Sequence, residues 1–473
     1  MKLIFDVSDK PKAGQLVVFA LQQMLAILAA TIAVPLIIGK GLTPAAAMFG
    51  AGVGTIVYIL FTKRKSPVFL GSSFAFLGSM AAAFAGGVSM QLGMLGLIVG
   101  AFLAGLVYVV IAIVVKFVGV GWLNKLMPAV VIGPTVAIIG LSLAGNAIGD
   151  LVKGDVTKQV TEYAVSTDSG TPEIIETVGS SYVALICGLI TLAVVMLCST
   201  YGKKTLRLIP FIIGILAGYA AAAIFTVIGN ICDIDALKIV DFSVFSSYML
   251  TDGSVSLKTF VSLPDFAFVS GLKGLKEFDF TYFATIFVAY VPVALVVFAE
   301  HVADHKNLSS IIDHDLLEEP GLTRTLLGDG VGSIAGALFG GCPNTTYGES
   351  VACVAITGNA SVVTIFAAAI GCMLFSFITP LVAFVDSIPA CVMGGVCIAL
   401  YGFIAVSGLK MIQDANLDDN RNLFVVSVIL IAGIGGLTLT FGDITLTEVA
   451  AALILGILAN VMLSKKKGNA AKK

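Results

Sequence analysis

Apolar runs of nearly twenty residues recur along almost the whole chain, and this pattern restricts the fold more than any single motif does. A helix needs about twenty predominantly apolar residues to cross the hydrocarbon core of a bilayer. Of all residues, 58% are hydrophobic and 12% are charged, so a water-soluble fold would leave an extensive apolar surface exposed. The sequence therefore predicts an all-α polytopic membrane protein.

The apolar runs predict fourteen transmembrane segments. They are centred near residues 26, 54, 76, 105, 133, 190, 218, 290, 332, 352, 373, 398, 430 and 453. The polar start MKLIFDVSDKPKAG lacks the layout of a cleaved signal peptide. We therefore place the N-terminus in the cytoplasm and alternate the spans from there.

The basic clusters agree with this orientation, because Lys and Arg are enriched in cytoplasmic loops. The clusters that fall inside are Lys2, Lys10 and Lys12, then Lys63-Arg64-Lys65, then Lys203, Lys204 and Arg207, and finally Lys465-Lys466-Lys467. The long loops at about 146–180 and 231–280 fall outside. We expect a multi-pass protein of the cell membrane, surrounded by lipid, with both termini in the cytoplasm.

Two pairs of similar segments indicate an internal repeat. GLTPAAAMFGAGVGTI from Gly41 resembles GLTRTLLGDGVGSI from Gly321, and MPAVVIGPTVAIIG from Met127 resembles IPACVMGGVCIALYG from Ile388. Each pairing links one span to the seventh span after it. Because seven is odd, the second copy crosses the membrane in the opposite sense, which predicts 7+7 inverted repeats as in many secondary transporters.

Spans three and ten correspond in this repeat, and both are interrupted by polar residues. Span three reads SPVFLGSSFAFLGSM from Ser66, and span ten reads GGCPNTTYGESVACVAIT from Gly340. Irregular backbone persists at membrane depth only where it is buried in protein or lines a cavity. A matched pair of broken spans indicates a substrate site near the midplane, with free N–H groups near Gly71–Phe74 and Gly348–Glu349.

Two carboxylates fall within apolar spans. Glu349 lies in span ten and Glu300 ends the run FATIFVAYVPVALVVFAE, where the alternative is the start of a cytoplasmic loop. A carboxylate costs about 2.5–3.5 kcal/mol in a spanning helix, so its presence indicates function. Carboxylates accept hydrogen bonds when ionised, and they bind protons more readily when shielded from water. We infer a proton-coupled carrier for a polar molecule that is uncharged or weakly acidic.

Other site classes lack their signatures. The three histidines cluster after span eight without a matching ligand set, and the eight cysteines have no metal-type spacing, so we expect no metal. No GxxxxGK[ST] motif, HExxH motif or nucleophile elbow occurs, which disfavours an ATPase and an intramembrane hydrolase. We expect no cofactor and no nucleic-acid partner. The string GDGVG at 328–332 is interpreted as a helix-packing glycine run. A passive channel remains an alternative to a carrier.

Four motifs together resemble a known family. They are LGSSFAF (70–76), FAEHVADH (298–305), PNTTYGE (343–349) and IPACVMGGV (388–396). The chain from about residue 15 to 463 resembles the nucleobase–ascorbate transporters (nucleobase:cation symporter-2), and among them the bacterial uracil permeases. This resemblance implies import of uracil by proton symport and no enzymatic activity. Xanthine, urate or another nucleobase is the alternative substrate; an inorganic anion is disfavoured by Glu349.

The resemblance also implies a division into domains. The core domain comprises 13–118 and 281–386, and the gate domain comprises 119–230 and 387–464. An extracellular loop spans 231–280 and a cytoplasmic tail spans 465–473. Spans three and ten are expected to carry short extended stretches that face each other. Members of the family often dimerise through the gate domain, so a homodimer is implied.

By motif match, the substrate-binding residues are implied as follows. Glu300 and Glu349 bind the base, the backbone N–H groups of Phe74 and Gly348 donate to its carbonyls, and Tyr347 lies beside it. Uracil permeases have His four residues after the first glutamate, where this chain has Asp304 followed by His305. The candidates for proton coupling are therefore Glu300, Asp304, His305 and Glu349.

Overall fold

The computed structural model describes residues 3–119, 121–160, 174–203, 206–207, 209–251, 254–413, 415–441 and 444–464. The proposed cytoplasmic tail 465–473 lies outside the described residues, and so do Lys2 and Lys204 of the basic clusters.

Helices dominate the described chain. In chain order they are α1 (Ala13–Ile38), α2 (Pro44–Phe61), α3 (Leu77–Ala83), α4 (Met90–Val118), α5 (Gly121–Leu126), α6 (Ala129–Ser142), α7 (Ala144–Leu151), α8 (Ser181–Tyr201), α9 (Pro210–Cys232), α10 (Ser243–Met249), α11 (Ala267–Gly271), α12 (Phe280–Ile312), α13 (Leu322–Gly340), α14 (Gly348–Thr357), α15 (Val362–Phe375), α16 (Thr379–Asp386), α17 (Ala390–Met411), α18 (Asn420–Ile434) and α19 (Glu448–Leu463).

Short strands form two-stranded antiparallel pairs. The strands are β1 (Leu70–Ser72), β2 (Thr157–Val160), β3 (Ile174–Thr177), β4 (Leu250–Thr251), β5 (Ser254–Val255), β6 (Asn344–Thr346), β7 (Leu439–Phe441) and β8 (Ile444–Leu446). Three pairs join strands that are neighbours in the chain, and the fourth joins β1 to β6. This long-range pair holds the two interrupted segments together.

Within the described residues, eight helical stretches are long and apolar enough to cross a membrane. Helix α4 shows why the bilayer is its environment. Its buried face carries Leu97, Ala101, Ala104, Tyr108 and Ala112, while its exposed face carries Phe102, Leu106, Val110, Ile113 and Phe117. A helix of a water-soluble protein would have polar residues on that exposed face. Both the composition and the exposed face therefore fit a lipid-facing helix.

Capping residues determine where several helices begin. The Thr43 hydroxyl accepts the N–H of Ala46 at 3.2 Å, and Pro44 follows it at the first helical position of α2. The Asp279 carboxylate accepts the N–H of Tyr282 at 2.7 Å at the start of α12. Each cap provides an acceptor for an N–H group that has no partner inside the first turn.

The chain divides into two compact units. The first comprises Met1–Ser142, Asp265–Met373 and Tyr401–Lys473, and it contains α2, α4, α12 and the β1–β6 pair. In this unit α2 and α13 approach closely through glycine. A Cβ atom placed on Gly54 would lie 2.8 Å from the carbonyl oxygen of Gly332, and one on Gly332 would lie 2.7 Å from that of Gly54. Small residues allow such close backbone contact between membrane helices.

The second unit comprises Leu143–Pro264 and Leu374–Leu400. Here the carboxylate of Asp155 accepts the N–H of Ala390, the first residue of α17, at 3.2 Å. Burial raises the pKa of the Asp155 carboxyl from 3.8 to about 6, and the N–H of Ala390 offsets part of this rise. The folded protein therefore keeps a proton on Asp155 at pH values where the unfolded chain has lost it.

We expect Asp155→Asn to stabilise the protein at neutral pH. Because the pKa of Asp155 is raised in the folded protein, the free energy of unfolding falls as pH rises from about 4 to about 6. Above that range the buried carboxyl is ionised, and the full cost of burying its charge is present. A shift of about two units corresponds to about 3 kcal/mol, which is the upper limit of the gain, since Asn keeps an acceptor for Ala390. The Tm in detergent should be higher for Asp155→Asn at pH 7.5, with an advantage that shrinks toward pH 4. A lower Tm for the variant at pH 7.5 would contradict this expectation.

Candidate functional site

The two interrupted segments meet as an antiparallel strand pair inside the first unit. Leu70 lies opposite Thr346, Gly71 opposite Thr345, and Ser72 opposite Asn344. Extended stretches are therefore present in both segments where the sequence resemblance implied them. Two backbone bonds continue the pairing beyond the strands, from Ser73 N–H to Pro343 at 2.9 Å and from Tyr347 N–H to Phe69 at 3.1 Å.

Side chains of neighbouring helices support the outer edges of this pair. The Thr55 hydroxyl of α2 accepts the N–H of Leu70 at 2.9 Å, and the Ser350 hydroxyl of α14 accepts that of Phe69 at 2.9 Å. On the other strand, the N–H of Asn344 donates to the Ser333 hydroxyl at 3.0 Å. Backbone groups at membrane depth need such partners because lipid provides none.

One residue separates each strand from the helical segment that follows it. Phe74 opens a 3-10 turn that leads into α3, and Gly348 is the first residue of α14. The first N–H groups of a helix have no partner within it, and the helix dipole makes this end favourable for an acceptor. Phe74 is 9% exposed and Gly348 is exposed. The N-terminal end of α14 is thus accessible to a small molecule.

Three carboxylates converge on this place. Glu300 and Asp304 lie one turn apart on α12, and Glu349 is the second residue of α14; all three are half-buried. The Thr346 hydroxyl donates to Asp304 Oδ2 at 2.8 Å. A Cβ atom on Gly348 would lie 3.9 Å from Asp304 Oδ1, so Asp304 faces the exposed start of α14.

The charges of these carboxylates act on one another. Among the described residues, the charges that act on Glu300 come from Asp304, Glu349 and Asp329. Carboxylates this close repel when all are ionised. A bound proton, or a ligand that presents N–H groups, relieves this repulsion. The cluster is therefore suited to bind protons and N–H donors together.

The ring nitrogens of His305 bond to groups other than these carboxylates. Its Nδ1 is 2.7 Å from the carbonyl of His301, which can only accept, so Nδ1 carries the hydrogen. Its Nε2 then accepts from the Tyr58 hydroxyl at 2.6 Å, and Tyr58 accepts from Ser66 at 2.7 Å. The buried His305 ring thus packs toward α2, whereas Asp304 faces β6 and α14.

A second buried pair adjoins the cluster, and the sequence interpretation missed it. His301 Nδ1 lies 2.7 Å from Asp329 Oδ2, and its Nε2 lies 3.0 Å from the Thr325 hydroxyl. Asp329 and His301 are both fully buried. The run containing Asp329 was interpreted as glycine packing alone, although a carboxylate within an apolar span is itself a signal of function.

Tyr347 is held by the strand pair rather than by the carboxylates. Its hydroxyl donates to the carbonyl of Ser72 at 2.8 Å. Its ring lies over Gly71, where a Cβ atom would be 2.4 Å from two ring carbons. The absence of a side chain at Gly71 therefore determines the position of the Tyr347 ring.

We expect Gly71→Ala to displace Tyr347 and to reduce transport strongly. Overpacking of this kind costs about 1–3 kcal/mol, and the shift would move the adjoining Gly348 and Glu349. Gly78→Ala is the matched control, because its Cβ would lie 3.9 Å from the nearest atom, a side-chain carbon of Thr447. Uptake and Tm measured for both variants test this. Equal behaviour of the two variants would show that the Gly71–Tyr347 contact does not matter.

The comparisons with known proteins agree over nearly the whole chain. The family model described as Permease family (Xan_ur_permease) matches residues 14–441. The uracil permease of Bacillus caldolyticus is 36% identical over 467 residues, which cover 98% of this chain and 95% of that protein. The uracil permease of Escherichia coli (strain K12) is 33% identical over 453 residues, 95% of this chain and 92% of that protein.

Solved structures with the same fold are more distant in sequence. The transmembrane domain of the cyanobacterial bicarbonate transporter BicA aligns with a TM-score of 0.61 at 12% identity, covering 96% of this chain and all of that domain. The murine anion transporter Slc26a9 aligns with a TM-score of 0.61 at 11% identity, covering 96% of this chain and 69% of that one. These likenesses show the fold, and the family match indicates a transporter rather than an enzyme. The chain is a multi-pass membrane transporter of the nucleobase:cation symporter-2 family.

Proposed function

We propose that this protein imports uracil by proton symport, with the base bound between β1, β6 and α12. The observation that carries the proposal is the convergence of Glu300, Asp304 and Glu349 beside the exposed start of α14. The uracil permeases among its relatives support the choice of substrate.

The groups of this site complement a pyrimidine base. Uracil has two N–H donors and two carbonyl acceptors. In our proposal Glu300 and Glu349 accept from the N–H groups, and the backbone N–H groups of Phe74 and Gly348 donate to the carbonyls. Because the Tyr347 hydroxyl is occupied by Ser72, Tyr347 offers the base its ring surface.

We further propose that the carboxylate cluster carries the coupled proton. Three carboxylates that repel one another take up a proton most easily when no base donates its N–H groups to them. Asp304 occupies the place of the family histidine and faces Glu349, so it is the preferred coupling residue. We propose a supporting role for His305, and its hydrogen bonds to Tyr58 and to its own helix favour this role.

Fourteen spans in 7+7 inverted repeats are our proposal for the architecture, with core and gate domains as the resemblance implies. Reciprocal contacts support it. Gly54 and Gly332, which are matched in the repeat, pack against each other. Gly133 packs on Gly408, and its repeat partner Gly394 packs on Ala147. The two contacts correspond in the repeat, because the number of residues from Gly133 to Ala147 equals the number from Gly394 to Gly408. A two-fold relation between the halves produces such pairs of contacts.

The proposed orientation in the membrane follows from the distribution of basic residues along the sequence. We propose that the protein lies in the cell membrane with both termini in the cytoplasm, and the basic clusters support this orientation. The family resemblance favours a homodimer through the gate domain. Alternating access moves the core domain, which comprises 13–118 and 281–386, past the gate domain.

Uptake of radiolabelled uracil into bacteria that lack their own uracil carrier tests the function. We expect accumulation that a protonophore abolishes and that excess unlabelled uracil, but not xanthine or urate, suppresses. Counterflow exchange of preloaded uracil distinguishes a carrier from a channel. Suppression by xanthine or urate, but not by uracil, would show that the substrate is one of those bases. Accumulation that the protonophore does not affect would show that transport is not coupled to protons.

A further inference from the structure

A cavity lined by both polar and apolar residues lies in the first unit, at the ends of helices that do not carry Glu300, Asp304 or Glu349. Its volume is about 580 Å³. The residues that line it include Trp122, Lys125, Pro128, Arg421, Asn460 and Ser464. They come from α5, the residue that precedes α6, the start of α18, and the end of α19 with the residue that follows it. The cavity is therefore at the ends of three apolar helices, where a bilayer would meet water.

The cavity wall presents positive charge without an acidic counterpart. Among the described residues, no carboxylate oxygen lies within 4 Å of the charged nitrogens of Lys125 or Arg421. Lys125 is exposed, and Asp419 accepts only the backbone N–H of Arg421, at 3.0 Å. Two cations that share a cavity without a counter-ion favour an anionic ligand.

Two further N–H donors at this cavity have no acceptor. In the part of the chain that the structure describes, Trp122 Nε1 and Arg421 Nε are buried and make no hydrogen bond. A buried donor without an acceptor costs about 1–3 kcal/mol in general, so such groups normally have a partner. A ligand oxygen that enters the cavity with small side-chain movements would provide one.

The guanidinium is held in position for such a ligand. Arg421 Nη2 donates to Asn460 Oδ1 at 2.8 Å, while Asn460 Nδ2 donates to the carbonyls of Lys125 and Leu126 at 3.2 and 3.3 Å. Asn460 is 2% exposed. It therefore fixes Arg421 relative to α5 and leaves the remaining guanidinium N–H groups for an anion.

We propose that this cavity binds the phosphate group of an anionic phospholipid headgroup. Phosphate accepts several hydrogen bonds and matches the fork of an arginine, and a tryptophan beside basic residues is typical of the membrane interface. In the proposed topology this end of α6, α18 and α19 is cytoplasmic, and the chain continues from Ser464 into Lys465-Lys466-Lys467. The cytoplasmic leaflet is the one whose anionic lipids attract such clusters. The site is independent of the transported substrate.

The protein contains a single tryptophan, so its intrinsic fluorescence reports directly on this cavity. The purified full chain is placed in nanodiscs of phosphatidylcholine with increasing fractions of phosphatidylglycerol. We expect a saturable change in Trp122 emission with phosphatidylglycerol. Millimolar inorganic phosphate added to pure phosphatidylcholine discs should give no such change.

Lys125→Gln tests the charge at a residue whose side chain is exposed, so folding should be retained. Half-saturation of the emission change in Lys125→Gln should require about fivefold more phosphatidylglycerol, because the variant lacks the attraction of one basic residue to the anionic membrane surface. Lys116→Gln is the matched control, because Lys116 is exposed at the end of α4 and does not line the cavity. Native mass spectrometry of Trp122→Phe should show weaker retention of phosphatidylglycerol at unchanged Tm.

Three results would overturn the proposal. They are the absence of a saturable emission change with phosphatidylglycerol, equal shifts in Lys125→Gln and Lys116→Gln, and saturation by inorganic phosphate alone. The last result would show that the cavity takes soluble phosphate rather than a lipid.

Discussion

Replacing Glu349 by Gln is expected to lower uracil uptake by roughly 100-fold, because hydrogen bonds to a charged group contribute about 1.5–3 kcal/mol each. Gln is close to Glu in size but cannot ionise, and its amide nitrogen would face an N–H group of the base. The substitution also removes the charge of Glu349, which acts on Glu300 and Asp304. The loss should therefore appear in affinity and in proton coupling together.

Glu448→Gln is the matched control for this change. Like Glu349, Glu448 is half-buried in the first turn of an apolar helix, here α19, but it is not next to the β1–β6 pair in sequence. Uptake at several uracil concentrations, normalised to the amount of protein in the membrane, separates affinity from maximal rate. Normal uptake by Glu349→Gln would exclude Glu349 from the binding site, and equal losses in both variants would point to a general effect on the fold.

Asp304→Asn is expected to separate transport from its driving force. Asn keeps an oxygen that accepts the hydroxyl of Thr346, which is bonded to Asp304 at 2.8 Å, but it does not bind a proton in the physiological range. Accumulation of uracil should fall at least about tenfold and become insensitive to a protonophore, since about 1.4 kcal/mol of lost driving force is already a factor of ten. Counterflow exchange of uracil, which needs no net proton movement, should stay within about threefold of the original protein.

Tyr58→Phe provides the contrast to Asp304→Asn, because it removes the hydroxyl that bonds His305 and Ser66 but leaves Asp304 unchanged. A net hydrogen bond contributes about 1 kcal/mol, so we expect a lower Tm and unaltered sensitivity to the protonophore. Protonophore-sensitive accumulation in Asp304→Asn, together with its loss in Tyr58→Phe, would reverse the assignment and make His305 the coupling residue.

Much of the site could be predicted from local sequence. The interruptions at Gly71 and Pro343 and the carboxylates Glu300 and Glu349 are recognisable because polar or helix-breaking residues in an apolar span are costly in lipid. The extended conformation of both interrupted segments followed from the family resemblance, and strands are present at Leu70–Ser72 and Asn344–Thr346.

The partners of individual side chains could not be predicted in this way. Asp304 and His305 are adjacent in the sequence, yet Asp304 contacts Thr346 and His305 contacts Tyr58. Successive residues of a helix point about 100° apart, so which of them faces the site depends on how α12 packs against α2 and α14. For the same reason the His301–Asp329 pair, whose members lie on separate helices, was missed.

The amino-acid sequence alone was enough to identify a membrane transporter with two interrupted spans, because hydropathy and helix-breaking residues act locally along the chain. Which side chains contact one another depends on the three-dimensional packing. The register of β1 against β6 brings Tyr347 over Gly71, and the packing of α12 directs Asp304 toward Gly348 and His305 away from it. These contacts join residues far apart in the sequence, and their geometry arises from the close packing of helices.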